Sequence, residues 1–268
     1  MCPHKSPNYF VAHEPHPLWE GPKLRAMARQ WISTRDAYAA LFAKVTTERA
    51  IGEVSPVYLQ SINAPKNIHQ LCPDAKMIAI LRQPVERAYA HYLGRVRDGL
   101  DARASFADVV TQELAQPLPD EITFGNYLGC GRYAHFLKGY FELFPRENIR
   151  VYLFQDLQHN PARLLSDLFQ FLGVDPAFVP DIEQQHNRTG MIANPVLRTI
   201  WTSSVRVRTL LRPYLPPALR NAAAPLFFTQ LSKPPLSPTL HAQLNELFRD
   251  DIAELEILIG RNLQHWLA

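Results

Sequence analysis

The sequence predicts an α/β protein: a parallel β-sheet flanked by helices, followed by an α-helical C-terminal region. Three observations carry this expectation. Short, almost continuously apolar runs bounded by turn signals mark buried strands. Stretches with helical spacing alternate with them. Beyond residue 184 only helical patterns remain, interrupted by prolines. The expected strands are "RAIGEVS" at 49–55, "KMIAILR" at 76–82 and "IRVYLFQDL" at 149–157. The expected helices cover 23–44, 65–71, 84–98, 105–115, 133–143, 160–172, 194–212 and 238–259. Domains average roughly 150 residues, a soft guide that lets 268 residues form one large unit. The reading is a single domain, with an α/β core over 1–183 and a helical part over 184–268. Prolines clustered at 213–217 and 234–238 read as breaks between C-terminal helices.

Composition narrows the class. Hydrophobic residues make up 47% and charged residues 20%, the balance of a globule with a core. The N-terminus has no apolar stretch of signal-peptide length, and no segment approaches the roughly eighteen apolar residues of a membrane span. A cytoplasmic location is the resulting expectation. Cysteines at 2, 72 and 130 are too far apart for a zinc-type pair and odd in number, so reduced thiols are expected, with neither a disulfide framework nor a metal. His13 and His16 have no partners at ligand spacing and read as solvated loop residues.

A formal net charge of +3 is too small to imply nucleic acid. Its distribution says more. From Gln184 to Asn245 there is no acidic residue, while Arg188, Arg198, Arg206, Arg208, Arg212, Arg220 and Lys233 all carry positive charge. On a helical wheel, Val196, Ile200, Val207, Leu210 and Leu211 oppose Arg198, Arg206, Arg208 and Arg212. Segment 194–212 is therefore either a packed helix with a solvated basic face or a surface for an anionic glycan or an anionic membrane.

The junction after residue 81 is the most informative stretch. Pro84 suits the first position of a helix, because the N–H it lacks would have no intrahelical partner there. Val85, Ala88, Tyr89, Tyr92, Leu93 and Val96 then repeat at helical spacing. Arg82 thus sits where a buried strand gives way to a helix N-terminus, the place where open α/β sheets bind ligands and where anions are favoured. It either binds a phosphate or sulfate there or pairs with a carboxylate such as Glu86.

"ILRQPVERAYAHY" resembles the 3′-phosphate-binding segment of sulfotransferases that use 3′-phosphoadenosine 5′-phosphosulfate (PAPS), whose pattern is near L-R-N-P-V-x-R-A-Y-S-H-Y. Further matches follow in family order: "KSPNYF" (5–10), "GEVSPVYL" (52–59), the run from Gly131 to Val174, and "NELFRDDIAELEILIGRNLQHWL" (245–267). The resemblance implies a P-loop-kinase-like fold with the donor lying across the strand ends. It implies transfer of a sulfuryl group from PAPS, as co-substrate and without metal, to a hydroxyl or amine of a carbohydrate or small-molecule acceptor. Arg82 matches the arginine that holds the donor's 3′-phosphate. Ala90 stands where the family has a serine sharing that phosphate, which forfeits a hydrogen bond worth roughly 1.5–3 kcal/mol. Tyr133 matches the family's G-x-Y near the nucleotide, and Arg188 and Gly190 in "HNRTG" fall where a late basic loop closes over the donor.

Two departures stand beside these matches. The glycine-containing loop near K-x-G-T-T, whose amides and lysine cradle the 5′-phosphosulfate, is not found in this sequence; the expectation is that the first strand and that loop are missing. Because stabilising charge on the bridging oxygen supplies most of the rate, the resemblance leaves open a catalytically impaired or truncated homologue that binds nucleotide or a partner. In the family's K-E-x-H-F-F motif the glutamate is a base; Ser6 and Asn8 occupy the glutamate and histidine positions here. Glu53 is a substitute base or a structural hydrogen-bonding residue, and Lys5 is a catalytic cation or a solvated lysine. "GCGRYA" at 129–134 mimics a dinucleotide fingerprint, but the preceding "DEITFGNYL" makes a poor strand.

Overall fold

The computed structural model describes residues 2, 4–13, 30–98, 100–101, 103, 105–118, 126–180, 190–192, 194 and 231–268. In chain order the elements are α1 (Arg35–Ala40), α2 (Ala64–Leu71), β1 (Met77–Leu81), α3 (Pro84–Arg97), α4 (Phe106–Leu114), α5 (Tyr133–Leu143), β2 (Ile149–Leu153), α6 (Phe154–His159), α7 (Pro161–Leu172), β3 (Met191–Ile192), β4 (Leu231–Ser232) and α8 (Pro238–Ile259). Short 3-10 turns lie between them, among them Tyr9–Val11, Pro56–Gln60 and Gly129–Gly131. The chain divides into two compact units. The first comprises Met1–Pro84, Pro119–Pro180 and Leu247–Ala268; the second comprises Val85–Leu118 and Asp181–Glu246.

The first unit holds the parallel sheet. β1 pairs with β2 from Met77 opposite Ile149 to Leu81 opposite Leu153, and a long crossover joins them, as parallel pairing requires. Leu81 and Leu153 are buried at its end. The expected full burial of β1 is not realised: the side chains of Ile78 and Ile80, on one face, are 41% and 46% exposed. α5 packs its buried Phe136, Leu137 and Tyr140 in this unit, and the Tyr140 hydroxyl donates to the Tyr58 carbonyl at 2.7 Å.

β2 is shorter than the expected strand at 149–157, for a local reason. Asp156 reaches back to accept from the Leu153 amide at 2.9 Å, which starts α6 at Phe154. Asn160 accepts from the Arg163 amide and opens α7; Gly173, at φ 74, closes it. Residues 49–55 do not form the expected strand. Gly52 and Glu53 interrupt the apolar run, Ile51 and Val54 are exposed, and Pro56 opens a 3-10 turn. The helix expected over 23–44 is confined, among the described residues, to α1.

In the second unit, Val85, Ala88, Tyr89, Tyr92 and Leu93 of α3 are buried, as the helical spacing predicts. The Tyr89 and Tyr92 rings lie 5.2 and 5.5 Å from the Phe106 ring of α4. α4 begins with a reciprocal cap, Ser105 and Asp108 each accepting from the other's amide. β3 and β4 pair antiparallel, Met191 opposite Ser232. Just beyond β4, Lys233 ion-pairs with Glu86. The basic segment 194–212 lies outside the described residues apart from Asn194.

Candidate functional site: the rim of the parallel sheet

Arg82 follows Leu81 directly, so the rigid end of β1 fixes its backbone. Its half-buried guanidinium lies over the Phe154 ring, 5.2 Å from the centroid, an arrangement favoured by the ring's quadrupole. Because β1 and β2 run parallel in register, Arg82 and Phe154 are the next residues on both strands. The sheet itself therefore creates this stack.

The main chain of Arg82 is also held. Its carbonyl accepts from the Tyr133 hydroxyl at 2.8 Å. Tyr133 is 3% exposed at the first position of α5. The Asp251 carboxylate caps that helix by accepting from the Ala134 and His135 amides at 3.2 Å; burial pushes its pKa up. Gly131, just before, has a packing role: a Cβ there would lie 2.7 Å from the Phe248 ring and 3.2 Å from Pro84 Cβ. Gly129 would meet the Asn126 side chain at 2.8 Å. The glycines that mimic a dinucleotide fingerprint thus serve close approach of side chains.

A second cluster surrounds Glu53. Its Oε1 accepts from the hydroxyls of Tyr38 at 3.0 Å and Tyr58 at 2.7 Å, and its Oε2 from Ser55 Oγ at 2.6 Å. Ser55 Oγ in turn accepts from the buried amide of Asn8 at 3.1 Å. Burial, followed by the Glu53 charge, pushes the phenol of Tyr38 well above the ordinary tyrosine range. Tyr58 is raised too, chiefly by burial, although its contact with Ser55 works the other way. "KSPNYF" and "GEVSP" are thereby joined, with Ser6 and Asn8 both at positive φ, 54° and 55°.

Lys5 is exposed, Ala90 is half-buried on α3, and Gly190 is buried immediately before β3. Arg188 and His16 lie outside the described residues. Cys72 is exposed, Cys130 buried and Cys2 between these, all as free thiols. Among the described residues no group of His, Cys, Asp and Glu could hold a metal, and no helix is long and apolar enough to cross a membrane.

Gln83, Asp156, Arg261 and Trp266 also belong to this rim, and no local sequence pattern marks them. Arg261 makes a paired hydrogen bond with Asp156, and Gln83 Nε2 donates to the Trp266 carbonyl at 3.0 Å. "RNLQHW" at 261–266 lies within a block that resembles the family, but nothing in its spacing says which residues it meets.

These features define an α/β protein with an arginine held over an aromatic ring at the ends of two parallel strands. The sulfotransferase domain model matches residues 44–208, and the chain belongs to that family. A solved sulfotransferase from Alicyclobacillus acidocaldarius superposes with a TM-score of 0.74 at 27% identity, covering 99% of this chain and 87% of that one; the fold is the P-loop-kinase-like fold of such enzymes. Two curated relatives are bifunctional heparan sulfate N-deacetylase/N-sulfotransferases. That of Drosophila melanogaster is 28% identical over 130 residues, 48% of this chain and 12% of that protein. Type 3 of Mus musculus is 30% identical over 138 residues, 51% of this chain and 16% of that protein. The matched segment thus spans about an eighth to a sixth of the length of these relatives.

Proposed function

We propose that this chain transfers a sulfuryl group from PAPS to a hydroxyl or amine of a carbohydrate acceptor. The observation that carries the reading is Arg82, fixed at the end of β1 with its guanidinium over Phe154 and its carbonyl tied to Tyr133. In this role the guanidinium holds the donor's 3′-phosphate as a forked, charge-assisted partner. Ala90 offers a methyl group and adds nothing to that phosphate. The acceptor's lone pair forms the new bond to sulfur while the bond from sulfur to the phosphate oxygen breaks, releasing adenosine 3′,5′-bisphosphate; the acceptor proton leaves to a base. Glu53, already accepting from Tyr38, Tyr58 and Ser55, serves to hold the wall built from "KSPNYF" and "GEVSP".

The acceptor assigned is an anionic glycan. The acid-free stretch from Gln184 to Asn245 and the similarity to heparan sulfate N-deacetylase/N-sulfotransferases support this. The test is incubation with radiolabelled PAPS and a panel of N-desulfated heparan, neutral oligosaccharides and small phenols. Label on the desulfated heparan is expected; label on phenols alone overturns the acceptor class. Anionic liposomes are expected not to retain the protein, and salt-sensitive retention would shift the basic segment to membranes.

A second reading, a nucleotide-binding or interaction module without transfer, is favoured by Ala90 and by the exposed Ile78 and Ile80 on the sheet face. Its signature is nucleotide binding with no label on any acceptor.

A further inference from the structure

The C-terminal segment folds back onto the strand ends that carry Arg82. α8 stops at Ile259 because Gly260 adopts φ 67°, and the Gly260 amide still donates to the Glu256 carbonyl at 2.9 Å. Glu256 then holds the returning chain, accepting from the Leu263 amide and from Gln264 Nε2. Leu263 and Trp266 are buried, 0% and 2% exposed, so this end of the chain is packed in place.

Three connections run from the segment to the immediate surroundings of Arg82. The Trp266 carbonyl accepts from Gln83, the next residue along. The Trp266 ring lies 6.3 Å from the ring of Tyr133, whose hydroxyl holds the Arg82 carbonyl. Arg261 grips Asp156, the residue that starts α6 at Phe154 beneath the guanidinium. Trp266 Nε1 adds a contact to Gln155 Oε1 at 3.4 Å, and His265 Nε2 meets the amide nitrogen of the same Gln155. Residues 82, 83, 154, 155 and 156 are thus all braced, directly or through one side chain, by residues 261–266.

We propose that Gln83, Tyr133 and the 261–266 segment are positioning residues that set the direction of the Arg82 guanidinium, and so the preference for a nucleotide bearing a 3′-phosphate. They act through Arg82, and the proposal rests on the donor reading above. A bound phosphate is recognised by a planar fork whose hydrogen bonds weaken steeply off-line. A main chain held at residues 82 and 83 and a ring held under the guanidinium restrict that fork before ligand arrives, which lowers the ordering cost of binding.

The experiment measures, by calorimetry, the ratio of affinities for adenosine 3′,5′-bisphosphate and adenosine 5′-phosphate, which isolates the 3′-phosphate. Tyr133→Phe and Gln83→Leu each remove one hydrogen bond and keep the bulk. Each is expected to lower the ratio about fivefold while leaving affinity for adenosine 5′-phosphate unchanged. Trp266→Phe, which keeps a ring and the carbonyl, is expected to retain the preference, and Gln83→Leu added to Arg82→Ala is expected to change the ratio no further. Folded Tyr133→Phe and Gln83→Leu proteins with the wild-type ratio would overturn the proposal while leaving the donor reading intact, as would an equal loss for both nucleotides. A wild-type protein with no preference for the 3′-phosphorylated compound would overturn both.

Discussion

The Arg261 guanidinium and the Asp156 carboxylate form a two-point contact, Nη1 to Oδ2 at 2.6 Å and Nη2 to Oδ1 at 3.0 Å, across 105 residues of sequence. Arg261, and after it the Leu153 amide, hold the Asp156 pKa below the usual carboxylate range. A carboxyl lowered in the folded state stabilises the protein above its unfolded pKa, and that contribution is lost as pH falls through the folded value. Both partners are about a third exposed, so solvent screening limits the effect to about 1 kcal/mol at neutral pH. Arg261→Met is expected to lose this much and to show a shallower fall in stability below about pH 4, measured by urea unfolding across pH.

His91 on α3 adds a slope of the same sign at higher pH. Burial, then the charges of Arg87 and Arg95, hold its pKa down to about 3, with Asp101 opposing. The folded protein therefore refuses a proton that the unfolded chain accepts near pH 6.5, and stability declines as pH falls from there towards the folded value. His91→Gln should flatten this limb by at most about 1.4 kcal/mol per pH unit. Unfolding curves at pH 7, 6 and 5 check it, and parallel curves for the two proteins would refute it.

Two glycines should respond with opposite signs. Gly131→Ala drives a methyl group into the Phe248 ring and is expected to destabilise by about 1–3 kcal/mol. Gly94, within α3, has nothing within 4 Å of a built Cβ. Gly94→Ala is expected to stabilise by about 0.5–1 kcal/mol through helix propensity. Midpoints of urea unfolding for the two variants decide.

The Glu53 cluster predicts a spectroscopic change. In Glu53→Ala the phenols of Tyr38 and Tyr58 lose a carboxylate neighbour, so both should ionise at lower pH, read by ultraviolet absorbance on alkaline titration. Leaving three buried or half-buried hydroxyls without their acceptor should cost about 1–3 kcal/mol. An unchanged titration would mean that Glu53 does not hold them.

Sequence periodicity found the elements whose own residues decide them. Residues 133–143 and 238–259 form the expected helices, and 84–98 does so to within a residue, because their apolar faces recur at helical spacing and Pro84 marks a start. It overran β2, because the contest between strand and helix at Phe154 is settled by the side chain of Asp156, three positions past the strand's last residue. It placed a strand at 49–55, where a hydroxyl-bound carboxylate decides the conformation instead. For the rim, Arg82 was visible as a strand-end arginine before a helix, and Tyr133 through the family's G-x-Y. The Gln83–Trp266 and Arg82–Tyr133 contacts, separated by 183 and 51 residues, carry no local pattern and emerge only from the packed fold.

Whether Arg82 holds the 3′-phosphate is decided by calorimetric titration of the wild-type and Arg82→Ala proteins with adenosine 3′,5′-bisphosphate. Micromolar binding by the wild type is expected, with a loss of about 10- to 100-fold on removing the guanidinium. Absence of binding at millimolar nucleotide, or equal affinity in the two proteins, would contradict it.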